Sequence, residues 1–200
     1  MPTTRLTVLG DSFVEGRGDP RPGGGYHGWV PRLADSLGLP AAAVRNLGAY
    51  QATTQVVLDQ QLDRALAGKA PLIGVIVGVN DLVTDYHPIR FRRNLGSIFG
   101  VLTGMDTTVV TASYPDIPAN LPVPEGFRTL LRGRFAEANA VLREVTDQTG
   151  TLCLDIAADP AWARADMWSE DGLHPSPQGH RVFAKSVADL LARVSGLVAA

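Results

Sequence analysis

Short apolar runs rich in β-branched residues alternate with longer helical stretches along the chain, and this alternation constrains the fold most. The runs at residues 5–9, 43–48, 71–78, 107–115 and 151–156 are predicted strands. Between and after them lie stretches in which apolar residues recur at helical spacing. Strands joined through helices need crossover connections, which leave the strands parallel and place helices on both faces of the sheet. The sequence therefore predicts a three-layer, flavodoxin-like α/β domain with a five-stranded parallel sheet.

The third predicted strand and the helix boundaries carry the clearest local signals. The strand sequence PLIGVIVG, residues 71–78, is apolar at nearly every position, as expected of a central strand covered on both faces. Thr53 is a suitable N-cap, and Gly68 and Gly150 are typical helix ends. The predicted helices occupy residues 26–39, 53–68, 89–104, 127–150 and 177–194.

Length and composition indicate one domain of ordinary globular character. The 200 residues contain 45% hydrophobic and 19% charged residues, without a repeat or an interdomain linker, so residues 1–200 are predicted to form one domain. The net charge of −2 argues against a nucleic-acid partner. The absence of a long apolar run or a recognisable secretion signal leads us to expect a cytoplasmic protein without membrane insertion. The single cysteine, Cys153, excludes an intramolecular disulfide and a cysteine-based zinc cluster.

Two long, proline-rich loops follow the last two predicted strands. They cover residues 113–126 and 157–177, and they leave the sheet at its carboxyl edge, where open α/β sheets bind ligands. Several large side chains near this edge are candidates for the wall of an acyl or sugar pocket, and are equally consistent with packing of the loops. They are Tyr50, Tyr86, Tyr114, Trp162, Met167 and Trp168.

Polar residues and glycines follow four of the five predicted strands, and parallel topology brings them to one edge of the sheet. A Ser, an amide, an Asp and a His therefore converge from distant parts of the chain. In chain order the set is Gly10, Asp11 and Ser12; Asn46, Gly48 and Gln51; Gly78, Asn80 and Asp81; and Asp171, His174 and Pro175.

This combination of residue types is suited to acyl transfer. A serine hydroxyl such as that of Ser12 becomes a good nucleophile only when a neighbouring base removes its proton, and a histidine does so near neutral pH. Asp171 lies three residues before His174, so a turn can bring its carboxylate to the Nδ1 atom of the imidazole. The side-chain amide of Asn80 and the backbone N–H of Ser12 are candidate donors to a developing oxyanion.

Three sequence blocks, GDSFVEG, GVND and DGLHP, occur in this order, each after a predicted strand. Together they resemble the SGNH hydrolase family, also called GDSL esterases and lipases, from residue 10 to residue 180. The resemblance implies an α/β domain of about this length, with Ser12 as the nucleophile, His174 as the base and Asp171 as its orienting acid. It also implies that Asn80 donates to the oxyanion.

One block departs from the family pattern. The family has a glycine in a turn of the form Asn-x-x-x-x-Gly-x-Thr after the second strand, and the N–H of that glycine contributes to the oxyanion hole. Counted from Asn46, this position is Gln51. Only the backbone N–H is needed, so Gln51 can serve, but a glutamine is strained if the turn requires a positive φ. Gly48 is the alternative donor if the loop has another shape.

The remaining polar residues have simpler interpretations. Asp11 is expected to brace its turn through backbone hydrogen bonds; as the phospho-acceptor of a receiver domain it would leave His174 unexplained. The motif RFRR at residues 90–93 is interpreted as a solvated helix face. The other histidines show no metal-ligand spacing, and we interpret them as structural or solvated, while Cys153 is expected in the core. These histidines are His27, His87 and His180.

The first functional hypothesis is a serine hydrolase that cleaves small-molecule carboxylic esters through an acyl-enzyme, without a metal or an organic cofactor. A short acyl ester, an acetylated sugar and a thioester remain open as substrates, and an acyltransferase is a variant of the same chemistry. The competing hypothesis is a non-catalytic α/β module that binds a ligand or a protein, because fold alone does not determine activity. The sequence leaves the oligomeric state open.

Overall fold

The computed structural model describes residues 5–198, and within them five strands form one parallel sheet in the order β2-β1-β3-β4-β5. Every neighbouring pair in this order runs parallel. The order is that of flavodoxin-like sheets, so the predicted fold class is confirmed. The strands are β1 (Leu6–Gly10), β2 (Val44–Asn46), β3 (Leu72–Ile76), β4 (Thr108–Ala112) and β5 (Leu152–Leu154).

Helices cover both faces of the sheet. Helix α2 packs against α8 on one side, and α6 packs against α7 on the other, which gives three layers. None of the helices within residues 5–198 is long and apolar enough to cross a membrane. The helices are α1 (Ser12–Glu15), α2 (Trp29–Ser36), α3 (Thr54–Val56), α4 (Leu62–Gly68), α5 (Val79–Val83), α6 (Pro88–Thr103), α7 (Glu125–Thr149) and α8 (Pro177–Val198).

The layer formed by α2 and α8 shows why the apolar spacing predicted a helix. Trp29, Val30 and Leu33 lie on one face of α2 and are almost completely buried. The ring of Trp29 meets that of Phe183 on α8 edge-on, with centroids 4.9 Å apart. The Cβ-free backbone of Gly74 in β3 leaves space for the Trp29 indole below it. The buried stripe therefore fixes α2 between the sheet and α8.

Four of the five predicted strands, those at residues 43–48, 71–78, 107–115 and 151–156, are shorter in the structure, and for β4 and β5 the reason is visible. Strand β4 ends at Ala112 because the N–H of Tyr114 donates to the side chain of Asn139 on α7, 2.8 Å away, rather than to a neighbouring strand. After β5, the hydroxyl of Ser113 donates to Asp155 at 2.8 Å and accepts from the N–H of Ala157. Side chains thus replace the β-ladder and direct both proline-rich loops away from the sheet.

The predicted helix at residues 53–68 is interrupted by a π-helical turn, Val57–Gln61, between α3 and α4. At its end the buried side-chain amide of Gln61 binds the backbone of Gly10 twice. The N–H of Gly10 donates to Oε1 at 2.8 Å, and Nε2 donates to the carbonyl of Gly10 at 2.9 Å. Strand β1 ends at Gly10, beyond the end of β2. There the side-chain amide of Gln61 therefore makes hydrogen bonds of the kind that a neighbouring strand would make.

We predict that Gln61→Leu destabilises the fold. The substitution removes the acceptor that Gln61 provides for the buried Gly10 N–H, while the Gly10 carbonyl keeps the N–H of Ala49 at 3.1 Å. An unsatisfied buried donor costs about 1–3 kcal/mol, and we expect this loss in the free energy of unfolding measured with urea.

Gln60→Leu is the matched control, since Gln60 lies in the same π-helical turn but is exposed. The same chemical change there should alter the free energy of unfolding by less than about 0.5 kcal/mol. Equal losses in the two variants would show that the contact between Gln61 and Gly10 has no special importance.

Candidate active site

The turn between β1 and α1 places Ser12 at the carboxyl edge of the sheet. Gly10 has a φ of 148°, and a Cβ there would lie 1.8 Å from the carbonyl oxygen of Ile76, so no other residue fits without movement of β3. Asp11 caps α1, because its carboxylate accepts the N–H of Phe13 at 2.9 Å. The chain reverses within two residues and leaves Ser12 only 7% exposed, beside the ends of β1 and β3.

His174 connects the hydroxyl of Ser12 with the carboxylate of Asp171. Its Nε2 atom lies 2.9 Å from Ser12 Oγ, and its Nδ1 atom lies 2.6 Å from Asp171 Oδ2. A carboxylate only accepts, so Nδ1 carries the proton and donates to Asp171. Nε2 is then free to accept the proton of the Ser12 hydroxyl. The structure thus brings together the three residues that the sequence pattern selected.

Asp171 is held by its own loop. Its Oδ1 atom accepts the backbone N–H of Leu173 at 2.8 Å, that of His174 at 2.9 Å and the hydroxyl of Ser169 at 2.9 Å. Burial alone would raise the pKa of Asp171, but these hydrogen bonds and that from the His174 imidazole lower it to about 2. The carboxylate therefore stays ionised near neutral pH.

Two glycine contacts fix the loop that carries Asp171 and His174. A Cβ on Gly172 would lie 2.2 Å from the carbonyl oxygen of Asn120, in the other proline-rich loop. A Cβ on Gly18 would lie 2.0 Å from the carbonyl oxygen of Pro175. Both glycines have a positive φ, so a side chain at either position would be strained as well as crowded. Close backbone packing on two sides therefore positions the imidazole.

Asn80 approaches from the end of β3. Its Nδ2 atom donates one hydrogen to the carbonyl of Ala52 at 2.9 Å, which leaves the second amide hydrogen for another acceptor. The preceding Gly78 is crowded by Tyr114, because a Cβ would lie 2.4 Å from the phenol oxygen. That phenol donates to the carbonyl of Val77 at 2.7 Å. Tyr114, whose role the sequence left open, thus supports the backbone that carries Asn80.

Gln51 adopts the left-handed conformation that the family pattern reserves for glycine, with a φ of 60°. Among the residues that the structure describes, neither its backbone N–H nor its side-chain amide has a hydrogen-bond partner. The N–H of Gly48 donates to Asn46 Oδ1 at 2.9 Å and is therefore occupied. Gly48 instead allows a close approach, since a Cβ would lie 2.4 Å from the N atom of Glu15. The geometry favours Gln51 over Gly48 as a free donor.

A buried polar network links the segments that carry Gln51 and Asn80. Asp81 accepts the backbone N–H of Thr54 at 2.8 Å and its hydroxyl at 2.7 Å. The side chain of Asn94 on α6 donates to the Thr54 hydroxyl at 3.1 Å. Burial raises the pKa of Asp81, and the hydrogen bonds from Thr54 oppose that shift. Asp81 thus joins the start of α3 to α5.

A small apolar cavity of about 50 Å³ lies beside Ser12 and His174. It is bounded by the ends of β3 and β4 and by both proline-rich loops. The apolar side chains that line it are Phe13, Ile76, Val77, Val79, Ala112, Tyr114, Pro115, Ile117, Ile156, Trp162, Trp168, Leu173 and Pro175. Asp11 also lines this cavity, and burial raises the pKa of its carboxyl to about 7.

The other residues considered in the sequence analysis, among them His180 and Cys153, lie outside the group of side chains around Ser12. His180 is fully buried, donates through Nε2 to the carbonyl of Arg17 at 2.8 Å, and has a pKa lowered to about 4 by burial. Cys153 is half-buried rather than in the core, because β5 lies at the edge of the sheet. Burial raises the pKa of its thiol to about 11. In the RFRR motif, Arg92 pairs with Glu144 at 2.6 Å on the helix surface.

The sequence matches the profile of the GDSL-like lipase/acylhydrolase family over residues 8–182. The chain belongs to this family. The resemblance inferred from GDSFVEG, GVND and DGLHP is therefore confirmed, and family membership supports an ester hydrolase. A comparison with curated proteins found no match.

Solved structures of other GDSL-type and α/β hydrolases share the fold at low sequence identity. LAE5, an alpha/beta hydrolase enzyme from the metagenome of Lake Arreo, is 19% identical, with a TM-score of 0.73 and 94% of both chains covered. The lipase/acylhydrolase from Enterococcus faecalis is 21% identical, with a TM-score of 0.71 over 92% of this chain and 93% of that one. Axe2, an acetylxylan esterase from Geobacillus stearothermophilus, is 19% identical, with a TM-score of 0.73 over 94% and 93%.

We predict that Gln51→Gly stabilises this GDSL-type hydrolase. The left-handed conformation costs a non-glycine residue about 1–2 kcal/mol, and the greater freedom of glycine in the unfolded chain offsets about 0.5–1 kcal/mol of the gain. A net increase of up to about 1 kcal/mol is expected in the free energy of unfolding measured with urea.

Two controls isolate the backbone effect at Gln51. Gln51→Ala removes the same side chain but keeps a Cβ, so it should bring no gain. Lys69→Gly changes the other described non-glycine residue with a positive φ, which ends α4 away from Ser12, and should stabilise the chain similarly. A gain from Gln51→Ala equal to that from Gln51→Gly would contradict the explanation by backbone strain.

Asp11 should make the stability of the hydrolase depend on pH. Its pKa is about 7 in the folded chain and 3.8 as an ordinary aspartate, so between these values the folded state binds more protons. The contribution of Asp11 to stability is then greatest below pH 3.8 and falls as the pH rises to about 7. A shift of about 3 pH units corresponds to about 4 kcal/mol.

Asp11→Asn keeps the acceptor for the N–H of Phe13 but does not titrate. Urea unfolding of both proteins between pH 4 and pH 8 should show wild type losing stability relative to the variant as the pH rises to about 7, and no further divergence above that. Parallel curves for the two proteins would mean that the carboxyl of Asp11 is not perturbed by burial.

Proposed function

We propose that the chain hydrolyses small-molecule carboxylic esters through an acyl-enzyme on Ser12. The observation that carries the proposal is the continuous hydrogen-bonded series from Ser12 Oγ through the His174 imidazole to Asp171, at 2.9 and 2.6 Å. Such a series supplies a nucleophile, a base and a group that orients the base.

In the first half of the reaction, Ser12 Oγ attacks the carbonyl carbon of the ester while Nε2 of His174 takes the hydroxyl proton. The tetrahedral intermediate collapses, the bond between the carbonyl carbon and the alcohol oxygen breaks, and His174 returns the proton to the leaving alcohol. In the second half, water attacks the acyl-serine and gives its proton to His174. The carboxylic acid leaves, and Ser12 Oγ recovers the proton.

Asp171 stabilises the imidazolium that forms in both halves. Its carboxylate holds the Nδ1–H of His174 and so keeps Nε2 directed at Ser12. Because hydrogen bonds hold the pKa of Asp171 at about 2, it remains the anion and does not take the proton from the imidazole.

The oxyanion of the tetrahedral intermediate is proposed to accept from the backbone N–H of Ser12, the backbone N–H of Gln51 and the second Nδ2 hydrogen of Asn80. The two backbone N–H groups have no other partner among the described residues, which supports the assignment. Removal of one such donor raises the activation barrier by about 3 kcal/mol in well-studied hydrolases. The contact between Asn80 and Ala52 preorganises the side-chain donor.

The proposal predicts that hydrolysis of p-nitrophenyl acetate depends on Ser12. Wild type should turn over the ester and react covalently with a fluorophosphonate at Ser12, and Ser12→Ala should lose both activities because the nucleophile is absent.

Ser36→Ala is the matched control, since Ser36 is an exposed serine at the end of α2 and should leave turnover and labelling unchanged. A folded wild type that neither turned over short esters nor reacted with the fluorophosphonate would contradict the proposed function and favour a binding module. Activity retained by Ser12→Ala would contradict the assignment of the nucleophile.

A further inference from the structure

We propose that the small cavity beside Ser12 is the acyl pocket and that Trp162, together with Pro115, closes its far end. The protein is then selective for esters of short, uncharged acyl groups, namely acetyl and propionyl. This inference rests on the proposed ester hydrolysis and specifies its substrate class.

The size of the cavity limits the acyl chain. Its volume is about 50 Å³, whereas an apolar cavity of about 150 Å³ is known to hold benzene, a molecule with six carbon atoms. By proportion, the cavity has space for about two carbon atoms beyond the ester carbonyl, which corresponds to acetyl and propionyl groups. Since protein interiors are closely packed, a longer chain would require displacement of the lining side chains.

The chemistry of the cavity favours the acyl part of the ester over the alcohol. Its lining is almost entirely apolar, so it matches an alkyl group. The leaving alcohol must receive a proton from His174 Nε2 and then diffuse away before water attacks. A cavity that is closed at its far end suits the group that stays on Ser12, while the alcohol leaves towards solvent.

The carboxyl of Asp11 disfavours anionic acyl groups. Asp11 lines the cavity, is 3% exposed, and has no cationic partner among the residues that the structure describes. A second carboxylate in the cavity, such as that of a succinyl group, would meet both the apolar walls and this acid. The pocket therefore suits neutral acyl groups.

Trp162 separates the cavity from a larger space. A second cavity of about 200 Å³ lies between the two proline-rich loops, next to Asp116, Asn120 and Asp159. Among the described residues, Trp162 and Pro115 alone line both cavities. These two residues therefore form the proposed partition, and an acyl chain that passed it would gain several times the present volume.

The partition is fixed rather than mobile. Trp162 is 3% exposed, and its ring meets that of Trp168 edge-on with centroids 5.5 Å apart. The indole N–H of Trp168 also donates to the carbonyl of Trp162 at 3.0 Å. Further edge-on contacts to Phe13 and Phe183 hold the indole from the side of the helices. Rotation of the Trp162 ring out of the partition would break its edge-on contacts with Trp168, Phe13 and Phe183.

The test measures kcat/KM for p-nitrophenyl acetate, butyrate, hexanoate and octanoate with wild type and with Trp162→Ala. Wild type should prefer acetate to octanoate by at least about 100-fold, since exclusion of a few methylene groups by an apolar pocket is worth this much. Trp162→Ala should reduce the preference for acetate over octanoate at least tenfold, because kcat/KM for hexanoate and octanoate should increase. Trp162→Leu, which keeps an apolar side chain in the core, and Pro115→Ala are measured in parallel and should shift the preference in the same direction.

Ile117→Ala is the matched control. Ile117 lines the small cavity but not the larger one, so its truncation enlarges the pocket without opening the partition. In Ile117→Ala, kcat/KM for butyrate should increase, and octanoate should remain a poor substrate. The same gain on octanoate as in the Trp162 variants would overturn the role of the partition.

Two further outcomes separate this inference from the proposed function. If wild type hydrolysed acetate and octanoate equally well, or if the folded Trp162 and Pro115 variants kept the wild-type preference, the acyl pocket would be overturned while ester hydrolysis stood. If wild type hydrolysed no ester of the series and did not react with a fluorophosphonate, the proposed function would fail, and the acyl pocket with it.

Discussion

The hydrogen bond between Ser12 and His174 joins residues 162 positions apart in the chain, and the architecture around the site is organised so that it can form. One partner stands on the turn after β1, and the other on the loop before α8. Close backbone contacts fix the two segments that carry Ser12 and His174, so the positions of these side chains do not depend on side-chain contacts alone. Gly10 permits the tight contact with Ile76, and Gly172 permits the contact with Asn120. The glycines near the site therefore allow the close backbone packing that positions the side chains of Ser12 and His174.

Polar side chains that replace backbone partners complete this arrangement. Gln61 takes the place of a neighbouring strand beside Gly10, and Asp81 binds the first turn of α3. Both are buried, so each hydrogen bond forms in a low-dielectric environment where loss of a partner is costly. The strained φ of Gln51 is tolerated within the same framework, because the segment before it is tied to Gly10 through Ala49 and the segment after it to Asp81 through Thr54.

The sheet and the hydrogen-bonded trio were accessible from the sequence because each depends on a short local pattern. The apolar run of β3 and the order of the three blocks were sufficient to bring Ser12, His174 and Asp171 to one edge. Gln61 was not accessible, because its contact with Gly10 depends on a π-helical turn that no spacing of apolar residues reveals. The φ of Gln51 was left open for a related reason, since a left-handed glutamine requires tertiary contacts that outweigh its local preference. The half-buried position of Cys153 was missed because an edge strand and a central strand have similar short sequences.

The two proline-rich loops show how one fold can vary its substrate without altering its chemistry. The groups around Ser12 depend on strand ends and short turns, whereas the walls of the small cavity include side chains from both loops, among them Ile117 and Trp162. A change in either loop can therefore move a wall of the pocket while leaving the contact between His174 and Asp171 intact. In this chain the aromatic contacts of Trp162 with Phe13 and Phe183 anchor one loop to the helical layer. The contacts that hold this loop in place are thus the same contacts that keep the cavity small. In this hydrolase a change in these contacts would therefore affect both the stability of the loop and the size of the cavity.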